Sequence, residues 1–326
     1  MKIAIVGATG LVGRTMLEIL CEHNLIDDNT ILLYASKMSH GKTISIAGKT
    51  FVVQELCDEY IENVDYALFS AGKNVSKKYA QKFAKLGAVV VDNSSAFRRY
   101  KKVPLVVPEI NFEDIAEGTK IIANPNCSTI ALALPMFAIS KLAKIKRIVV
   151  STYQAVSGAG QTALLDLEHG TTNKFCCPII DNLIPQIDRF LKNGYTFEED
   201  KMQFELKKIL HHTSMQITTT AVRVPITNSH SESVNFELSK NVSIRRIKQT
   251  LNEQNGVLVT DNPSTNLYPM PKLANLTDDI LVGRIRKDYS KANCYNMFLC
   301  MNNIRKGAAL NAVQIMEKLI QKTQKQ

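Results

Sequence analysis

The chain has 326 residues, of which 45% are hydrophobic and 21% are charged, and its formal net charge at pH 7 is +10. This composition is that of an ordinary globular protein long enough for two domains. No apolar run approaches the roughly 20 residues that span a bilayer, and the N-terminus leads into an apolar strand rather than a signal peptide. We therefore expect a soluble, cytoplasmic protein that does not associate with membranes.

The cysteine content and the positive charge indicate the cellular compartment and the kinds of ligand that the protein can bind. Seven cysteines are present, an odd number without a Cys-x-x-Cys pair, which favours a reducing compartment and argues against a metal site or a disulfide framework. Cys176 and Cys177 are adjacent, so we do not expect them to bridge each other. The positive charge permits nucleic-acid binding, but it also suits an enzyme that handles phosphates and carboxylates.

A glycine-rich turn follows the first apolar run. Residues 2–6 predict a strand, residues 7–13 (GATGLVG) a turn, and the residues after them an amphipathic helix. Glycines at this spacing between a strand and a helix are a variant of the dinucleotide fingerprint, because they let the backbone approach a pyrophosphate at the helix N-terminus. The alternation of strands and helices then continues, which predicts a parallel sheet.

The second predicted strand, residues 31–34, indicates which dinucleotide binds. An acidic residue at its end would hold a ribose hydroxyl, but the chain has Ser36 and Lys37 there, which suit a 2′-phosphate. We therefore predict NADP (NADPH) over NAD. Small residues after the strand at 64–69 would let the nucleotide lie close. The predicted contacts in this half of the chain are Gly7, Thr9, Gly10, Leu11, Val12, Ser36, Lys37, Ser70, Ala71 and Gly72.

The segment 124–129 (NPNCST) is the candidate reactive centre. It follows a short apolar run and opens a long one, which predicts a strand, a tight turn and a buried helix. Cys127 would begin this helix, where the Asn126 side chain can cap it and the unpaired backbone N–H groups favour a thiolate over a thiol. Pro135 lies inside the predicted helix, so we expect a kink or a break there.

Two interpretations of Cys127 are open. It is either a small buried hydrophobic residue or a nucleophile. Ligands of open parallel sheets gather at the carboxyl ends of the strands, which places Ser70, Asn93 and Arg98 near one crevice with Cys127. This convergence favours the nucleophile.

Beyond residue 127 the pattern changes to longer strands with helices between them, which predicts an α+β domain on a mixed or antiparallel sheet. We predict an α/β protein in which a Rossmann-like, parallel-sheet dinucleotide domain is joined to an α+β substrate and dimerisation domain with a mixed sheet. The predicted ranges are 1–126 for the first domain, 127–305 for the second, and 306–326 for a C-terminal helix that returns to the first.

Several blocks of the sequence carry a resemblance to a known family. In chain order they are 7–13, 92–98, 124–129, 153–160, 223–225 with 230–233, 261–263 through 268–271, and 282–286. Together they resemble the aspartate-semialdehyde dehydrogenases, in particular the shorter bacterial branch of that family, and the resemblance covers essentially the whole chain. It implies NADPH-dependent reduction of L-4-aspartyl phosphate to L-aspartate 4-semialdehyde, with release of phosphate, on the route to lysine, threonine and methionine.

The resemblance also implies a role for individual residues. Cys127 would be the nucleophile, His230 the acid/base and Gln154 the residue that orients the intermediate. Without the resemblance, Glu205 and Lys208 would be interpreted as an exposed helical pair. The remaining implied residues are Asn126, Glu205 and Arg223 for substrate, with Glu205 on the ammonium and Arg223 on the α-carboxylate; Arg98 and Lys208 for phosphate; and Ser157, Gly158 and Asn303 for cofactor.

Three other functions remain open on the sequence. The resemblance implies that the reaction proceeds through a thioester on Cys127. An N-acetylglutamyl-phosphate reductase would form a thioester in the same way, but the acylated amine of its substrate would need no carboxylate such as Glu205. A non-catalytic nucleotide-binding regulator would not depend on Cys127. A nucleic-acid binder is suggested only by the net charge, because basic and aromatic residues are not interleaved. We expect small-molecule substrates, no metal, no nucleic acid, and a homodimer or a dimer of dimers.

Overall fold

The structure is a computed structural model that describes residues 1–27 and 29–324. Along these residues the strands are β1 Lys2–Val6, β2 Thr30–Ala35, β3 Thr43–Ile46, β4 Lys49–Glu55, β5 Tyr66–Phe69, β6 Val89–Asp92, β7 Ile121–Ala123, β8 Ile145–Gln154, β9 Gln216–Arg223, β10 His230–Leu238, β11 Val257–Val259, β12 Ile280–Lys287 and β13 Cys294–Met301. The helices are α1 Leu11–Glu22, α2 Lys73–Lys85, α3 Pro108–Asn111, α4 Cys127–Ser140, α5 Gln161–His169, α6 Phe197–Ile209, α7 Ile244–Asn252, α8 Pro271–Ala274 and α9 Leu310–Gln324. In the described part of the chain, none of these helices has the length and apolarity needed to cross a membrane.

Two compact units make up the fold. One consists of Met1–Pro125 and the segment that begins at Ala308, and the other consists of Asn126–Gly307. The domain boundaries predicted from the sequence, at residues 126 and 306, lie within two residues of these limits. The roles of the two units stay predictions.

The first unit is built on a sheet with the strand order β3-β4-β2-β1-β5-β6-β7. Its neighbours pair in parallel, except that β3 and β4 form an antiparallel hairpin. Ile3 and Ile5 of β1 pack in one cluster with α1 and α9, whereas Ala4 and Val6 pack in another with α2. The strand is apolar from residue 3 to residue 6 because both faces of the sheet are covered. The predicted Rossmann-like parallel sheet is confirmed.

The second unit is built on a mixed sheet, as the sequence predicts. Its strand order is β11-β12-β13-β10-β8-β9. β8 pairs in parallel with β9, and β11 with β12, while the remaining pairs are antiparallel. Helix α4 contacts α6, α7 and the strands β8, β10 and β13. Helix α4 therefore packs against the sheet of the second unit.

Helix α4 is not broken at Pro135. Every residue from Ser128 to Met136 is buried, and the helix continues through the proline to Ser140. A proline removes one helical hydrogen bond and crowds the preceding turn. A helix that is apolar on all sides is held by its neighbours along its whole length, so the packing keeps the helix intact. Of the expected kink or break at Pro135, the break is therefore wrong, and the kink stays a prediction.

Candidate active site

The side chain of Asn126 caps α4 at Cys127. Its Oδ1 accepts hydrogen bonds from the backbone N–H groups of Ser128, at 3.0 Å, and Thr129, at 3.3 Å. Asn126 is in the extended conformation that a capping residue requires. Cys127 is thus the first residue of the helix, and it is half-buried. The predicted turn and cap are confirmed.

Two carboxylates of α6 fix Asn126 in place. Glu205 Oε2 accepts from the backbone N–H of Asn126 at 2.7 Å, and Glu198 Oε1 accepts from Asn126 Nδ2 at 2.8 Å. Both glutamates are buried. A charged acceptor makes each of these hydrogen bonds stronger than a neutral pair would. The residue that precedes Cys127 is therefore held by α6 through both its backbone and its side chain.

Gly307 packs directly against Cys127. It lies in a π-helical turn, Arg305–Ala309. A Cβ atom added at Gly307 would lie 2.9 Å from Cys127 Cβ and 2.7 Å from Met301 Cε. Real Cβ atoms do not approach so closely, so only glycine leaves Cys127 where it is.

With Cys127 as the predicted nucleophile, we expect Gly307→Ala to lower kcat by displacing it. A displacement of about 1 Å at a reacting group costs up to about a hundredfold in rate. The measurement is kcat beside the rate of Cys127 alkylation and the thermal midpoint. A folded variant with wild-type kcat would show that the contact between Gly307 and Cys127 has no influence on the reaction.

A cavity of about 650 Å³ opens in the second unit. Its polar lining includes the cations Lys174, Lys201 and Arg223 and the anion Glu198. Gly158 also lines it. The cavity therefore offers positive charge to an anionic molecule, together with the carboxylates of Glu198 and Asp188 for a cation.

Arg223 ends β9 and is 5% exposed. Its Nη1 donates to the backbone carbonyl of Ala155 at 2.5 Å. Burial lowers the pKa of Arg223, while the charges of Glu198 and Cys127 act in the opposite direction, so Cys127 lies within electrostatic reach of this guanidinium. The buried Nε atom has no hydrogen-bond partner within the described ranges. A buried guanidinium with a spare donor is suited to bind an anion.

Glu198 forms the acidic centre of the cavity. It accepts from Asn126 Nδ2 at 2.8 Å and Gln154 Nε2 at 3.3 Å, and it pairs with Lys201 at 2.6 Å. Lys201 also lies 3.3 Å from Asp188. Burial acts to raise the pKa of Glu198, but the charge and hydrogen bond of Lys201 and the two amide donors lower it to about 2. Glu198 is therefore ionised at neutral pH.

The sequence prediction had chosen a different pair on α6. Glu205 is 1% exposed and Lys208 is partly buried, so the interpretation of them as an exposed pair is wrong. Neither residue lines the cavity, whereas Glu198 and Lys201 do. The two pairs have the same spacing seven residues apart, so both lie on one helical face. The same Glu–Lys spacing seven residues earlier in the sequence could have indicated Glu198 and Lys201 as candidates.

The ring of His230 is completely buried at the start of β10. Its Nδ1 lies 3.0 Å from the backbone nitrogen of Ala155. A backbone N–H can only donate, so Nδ1 carries no proton and the neutral ring has its proton on Nε2. Burial, together with the charge of Arg223, lowers the pKa of His230 to about 3. His230 is therefore a neutral donor, and Nε2 has no hydrogen-bond partner in the part of the chain that the structure describes.

Gly158 leaves space next to both His230 and Arg223. An added Cβ would lie 3.3 Å from His230 Nε2 and 3.3 Å from Arg223 Nη1. Each of these distances is tighter than an ordinary contact. A ligand that lies over Gly158 can therefore reach the histidine donor and the guanidinium together.

Asn303 and Gln154 form hydrogen bonds that hold the residues around His230 and Glu198 in place. Asn303 Nδ2 donates to Ser157 Oγ at 3.0 Å, and Asn303 Oδ1 accepts from the backbone N–H of Ser229 at 2.9 Å. These bonds tie the loop of Gly158 to the residue before His230. Gln154, at the end of β8, donates to Thr152 Oγ1 at 3.2 Å as well as to Glu198.

Glu232 is buried two residues after His230 on the same face of β10. Neither of its carboxyl oxygens has a hydrogen-bond partner among residues 1–27 and 29–324. Burial, and then the charge of Glu198, raises the pKa of Glu232 well above its usual value of 4.5. Burial therefore favours the protonated, neutral form of this side chain.

Replacing Glu232 with glutamine is expected to stabilise the protein more at pH 8 than at pH 5. Above pH 4.5 the unfolded wild-type chain loses a proton that the folded state retains, so wild-type stability falls as pH rises. Glutamine does not titrate. Thermal midpoints of both proteins at the two pH values test this, and an equal difference at pH 5 and pH 8 would contradict it.

The glycine-rich turn lies in the first unit. Gly7 has a φ of +90°, and an added Cβ would lie 2.9 Å from the carbonyl carbon of Ser70. The backbone N–H groups of Gly7 and Ala8 donate to Tyr34 O. The turn is thereby held against the ends of β2 and β5. The other cofactor contacts predicted in the first unit follow β1, β2 and β5. They are Thr9, Gly10, Leu11 and Val12 between β1 and the first turn of α1, Ser36 and Lys37 after β2, and Ala71 and Gly72 after β5.

Arg98 lies in the first unit and Lys208 in the second. Arg98 is buried, and its Nη2 donates to the carbonyl of Asn93 at 2.7 Å. Asp92 organises this loop by accepting from Ser94 Oγ at 2.8 Å. The Asn93 amide is buried, and neither of its polar atoms has a partner within the described residues. The loop therefore offers an arginine and a spare amide at the end of β6.

Two family models match the chain. One, described as "Semialdehyde dehydrogenase, NAD binding domain", matches residues 2–118, and the other, described as "Semialdehyde dehydrogenase, dimerisation domain", matches residues 134–306. Curated relatives agree. An aspartate-semialdehyde dehydrogenase of Aquifex aeolicus is 48% identical, with 98% of both chains covered, and that of Bacillus subtilis is 45% identical, with 98% of this chain and 97% of the relative covered.

The chain belongs to the aspartate-semialdehyde dehydrogenase family. Solved structures of the family match closely in fold. The enzyme called aspartate semialdehyde dehydrogenase II from Vibrio cholerae is 42% identical with a TM-score of 0.93 over 98% of each chain, and a second structure of it is described as complexed with ASA. A family member from Candida albicans described as "with NADP" is 27% identical with a TM-score of 0.78, again over 98% of each chain.

Proposed function

We propose that the protein is an NADPH-dependent enzyme that reduces L-4-aspartyl phosphate to L-aspartate 4-semialdehyde with release of phosphate, and that it catalyses the reverse reaction. The observation that carries the proposal is the cavity in which Arg223 and the Glu198–Lys201 ion pair lie with Gly158, which is adjacent to the Nε2–H of His230. The names of relatives at 48% and 45% identity support it. The reaction belongs to the synthesis of lysine, threonine and methionine.

Substrate recognition follows from the charges of the cavity. Arg223 binds the substrate α-carboxylate, which its planar guanidinium fits with two parallel hydrogen bonds. The substrate ammonium requires a carboxylate, and we assign Glu198 to it in place of Glu205, because Glu198 lines the cavity and is ionised. Glu205 instead positions Asn126. Asn126 and Gln154 support the substrate side through their hydrogen bonds to Glu198.

The phosphate group requires further cations. Arg98 and Lys208 are the ligands predicted for it, and Lys201 adds a cation within the cavity itself. A doubly charged phosphate near Lys201 would also weaken the hold of that lysine on Glu198. The carboxylate of Glu198 would then be available to the substrate ammonium.

Cys127 is the proposed nucleophile. An acyl phosphate carries its own leaving group, so the thiolate can attack the acyl carbon, the bond to phosphate breaks, and a thioester to Sγ remains. A thioester carbonyl is electrophilic enough to accept hydride, whereas a carboxylate is not. The Nε2–H of His230 is the proposed donor for the oxyanion that forms, because the backbone N–H groups of Ser128 and Thr129 already donate to Asn126 Oδ1.

We revise the predicted acid/base role of His230 to that of a hydrogen-bond donor. A base at Nε2 would need its proton on Nδ1, where the N–H of Ala155 already points. No proton is needed at this stage, because collapse of the hemithioacetal oxyanion reforms a carbonyl and expels the Cys127 thiolate. The histidine then stabilises the oxyanion without changing its own charge.

The first unit fits a dinucleotide. The Gly7 turn and the N-terminus of α1 suit a pyrophosphate, since a Cβ at Gly7 would fill the approach to the backbone. The chemistry that NADPH would supply there is a hydride for the thioester carbonyl. Ser36 and Lys37 would hold the 2′-phosphate, and Ser157, Gly158 and Asn303 stay the predicted cofactor contacts of the second unit.

The alternative substrate, N-acetylglutamyl phosphate, is disfavoured by Glu198. That compound has no ammonium to pair with a buried, ionised carboxylate. Two functions from other classes compete with the proposed enzyme: a nucleotide-binding regulator and a nucleic-acid binder. A regulator requires no cavity lined by a buried arginine and an ionised carboxylate. A nucleic-acid binder would bind DNA or RNA with a strong dependence on salt.

We also propose that the chain assembles as a homodimer or a dimer of dimers in the cytoplasm, through the second unit. The match of residues 134–306 to a dimerisation domain supports this. Light scattering after size-exclusion chromatography distinguishes the two assemblies, and a monomer at micromolar concentration would contradict both.

The test of the proposed function is NADPH formation from a semialdehyde, NADP and phosphate. We expect turnover with aspartate semialdehyde, a marked preference over N-acetylglutamate semialdehyde, and a smaller preference in Glu198→Gln. Faster turnover of the acetylated compound would replace the proposed substrate, and no turnover of either would favour the regulator.

A further inference from the structure

A rim segment of the cavity, residues 171–177, is held rigidly by one carboxylate. Asp166 of α5 accepts from Thr171 Oγ1 at 2.6 Å and from the backbone N–H groups of Asn173, at 2.9 Å, and Lys174, at 2.6 Å. Burial acts to raise the pKa of Asp166, but these hydrogen bonds and that from the N–H of Phe175 lower it to about 2. The carboxylate thus fixes the backbone that leads into Cys176.

The segment ends in two adjacent thiols. The Sγ atoms of Cys176 and Cys177 lie 3.7 Å apart. Cys177 packs against an apolar cluster, and Asn182 Nδ2 donates to its sulfur at 3.6 Å. Cys176 is exposed and lines the cavity together with Arg223. Cys176 therefore lies at the rim of the cavity, and the sulfur of Cys177 is 3.7 Å from that of Cys176.

We propose that Cys176 and Cys177 form a binding site for trivalent arsenicals, and that an arsenical bound there obstructs the cavity. An organic arsenous oxide reacts with two thiols to give a dithioarsenite and one water molecule. Two As–S bonds form, both bonds between arsenic and oxygen break, and the thiol protons leave with that oxygen. Arsenic stays trivalent, so no oxidant or reductant is needed.

The geometry favours this ligand over a disulfide or a metal ion. A disulfide needs sulfurs about 2.05 Å apart and Cα atoms usually at least about 4.4 Å apart, but neighbouring residues are separated by only about 3.8 Å. Zinc in a structural site takes four ligands, and the described residues contain no cluster of three or more metal-binding side chains. An arsenic atom requires only the two sulfurs and spans the gap between them.

Two of the other thiols are poorly placed to compete. Cys294 and Cys300 are buried in β13, and burial raises the pKa of Cys300 to about 11. Cys127 is half-buried and begins a helix, where it can make one As–S bond. A single As–S bond at Cys127 lacks the gain that a second, intramolecular bond gives at Cys176 and Cys177. That gain is worth about a hundredfold or more in affinity.

Phenylarsine oxide tests the binding step independently of activity. We expect the wild-type chain to retain one phenylarsine group by intact mass and to lose two titratable thiols. Cys177→Ser should weaken binding by about a hundredfold. Excess 2,3-dimercaptopropanol should remove the group, whereas an equivalent amount of a monothiol should not. Cys127→Ser should still bind one group, and equal binding by wild type and Cys177→Ser would overturn the site.

The inhibition step rests on the proposed function and is measured separately. Phenylarsine oxide should inhibit NADPH formation in the wild type, while Cys177→Ser should turn over in its absence and need about a hundredfold more reagent for the same inhibition. Equal inhibition of the two proteins would assign the effect to another thiol and overturn the proposal. A chain that binds the arsenical but turns over neither semialdehyde would refute the proposed function and leave the binding site standing.

Discussion

Cys127→Ser is expected to lower kcat for NADPH formation from aspartate semialdehyde and phosphate by about a thousandfold or more. A hydroxyl at this position is not ionised at neutral pH, and the alkoxide it would form is a much poorer leaving group than a thiolate. The helix start favours a negative charge, but it cannot ionise an alcohol. The fold should be unaffected, because Asn126 caps α4 in either case.

The matched control is Cys57→Ser, which changes a half-buried cysteine of the first unit. We expect this variant to retain near wild-type activity. If Cys127→Ser kept activity within about tenfold of the wild type, the reaction would not proceed through a bond to Sγ. Circular dichroism and thermal midpoints of both variants separate a chemical effect from unfolding.

His230→Phe is expected to lower kcat/KM by about a hundredfold to a thousandfold, the loss typical of one oxyanion donor. His230→Gln should recover part of this loss, because an amide N–H2 group can donate from a similar position. A general base could not be replaced in this way. Steady-state kinetics of the three proteins at several pH values provides the measurement.

The pH dependence distinguishes the donor from an acid/base. The folded pKa of His230 is lowered from 6.5 to about 3, so the ring stays neutral and kcat/KM should show no limb near pH 6.5 that depends on it. The unfolded chain gains a proton between these values, so stability should fall as pH drops through this window. A limb near pH 6.5 that disappears in His230→Gln would restore the acid/base role.

The cap at Asn126 and the helix start at Cys127 were predictable because they follow from local rules. A capping side chain bonds to N–H groups two and three residues later, and this pattern is visible in the sequence. The parallel sheet was predictable for a similar reason, since strands covered on both faces are apolar throughout. The continuity of α4 through Pro135 was not, because it depends on packing from distant elements.

The resemblance assigns Glu205 to the substrate ammonium, whereas our proposal assigns Glu198. Glu198 and Glu205 are two turns apart on one face of α6, and both are buried. Only the placement of Arg223 and Gly158, which come from β9 and the loop after β8, shows which of the two faces the cavity. The tautomer of His230 likewise depends on the N–H of Ala155, which is 75 residues away.

The most direct test of the covalent mechanism is a single-turnover reaction of the wild-type protein with aspartate semialdehyde and NADP in the absence of phosphate. The mechanism predicts a burst of one NADPH for each active subunit, and an aspartyl group on the peptide that contains Cys127 when the reaction is quenched in acid. No burst, or an acyl group on a different residue, would contradict it.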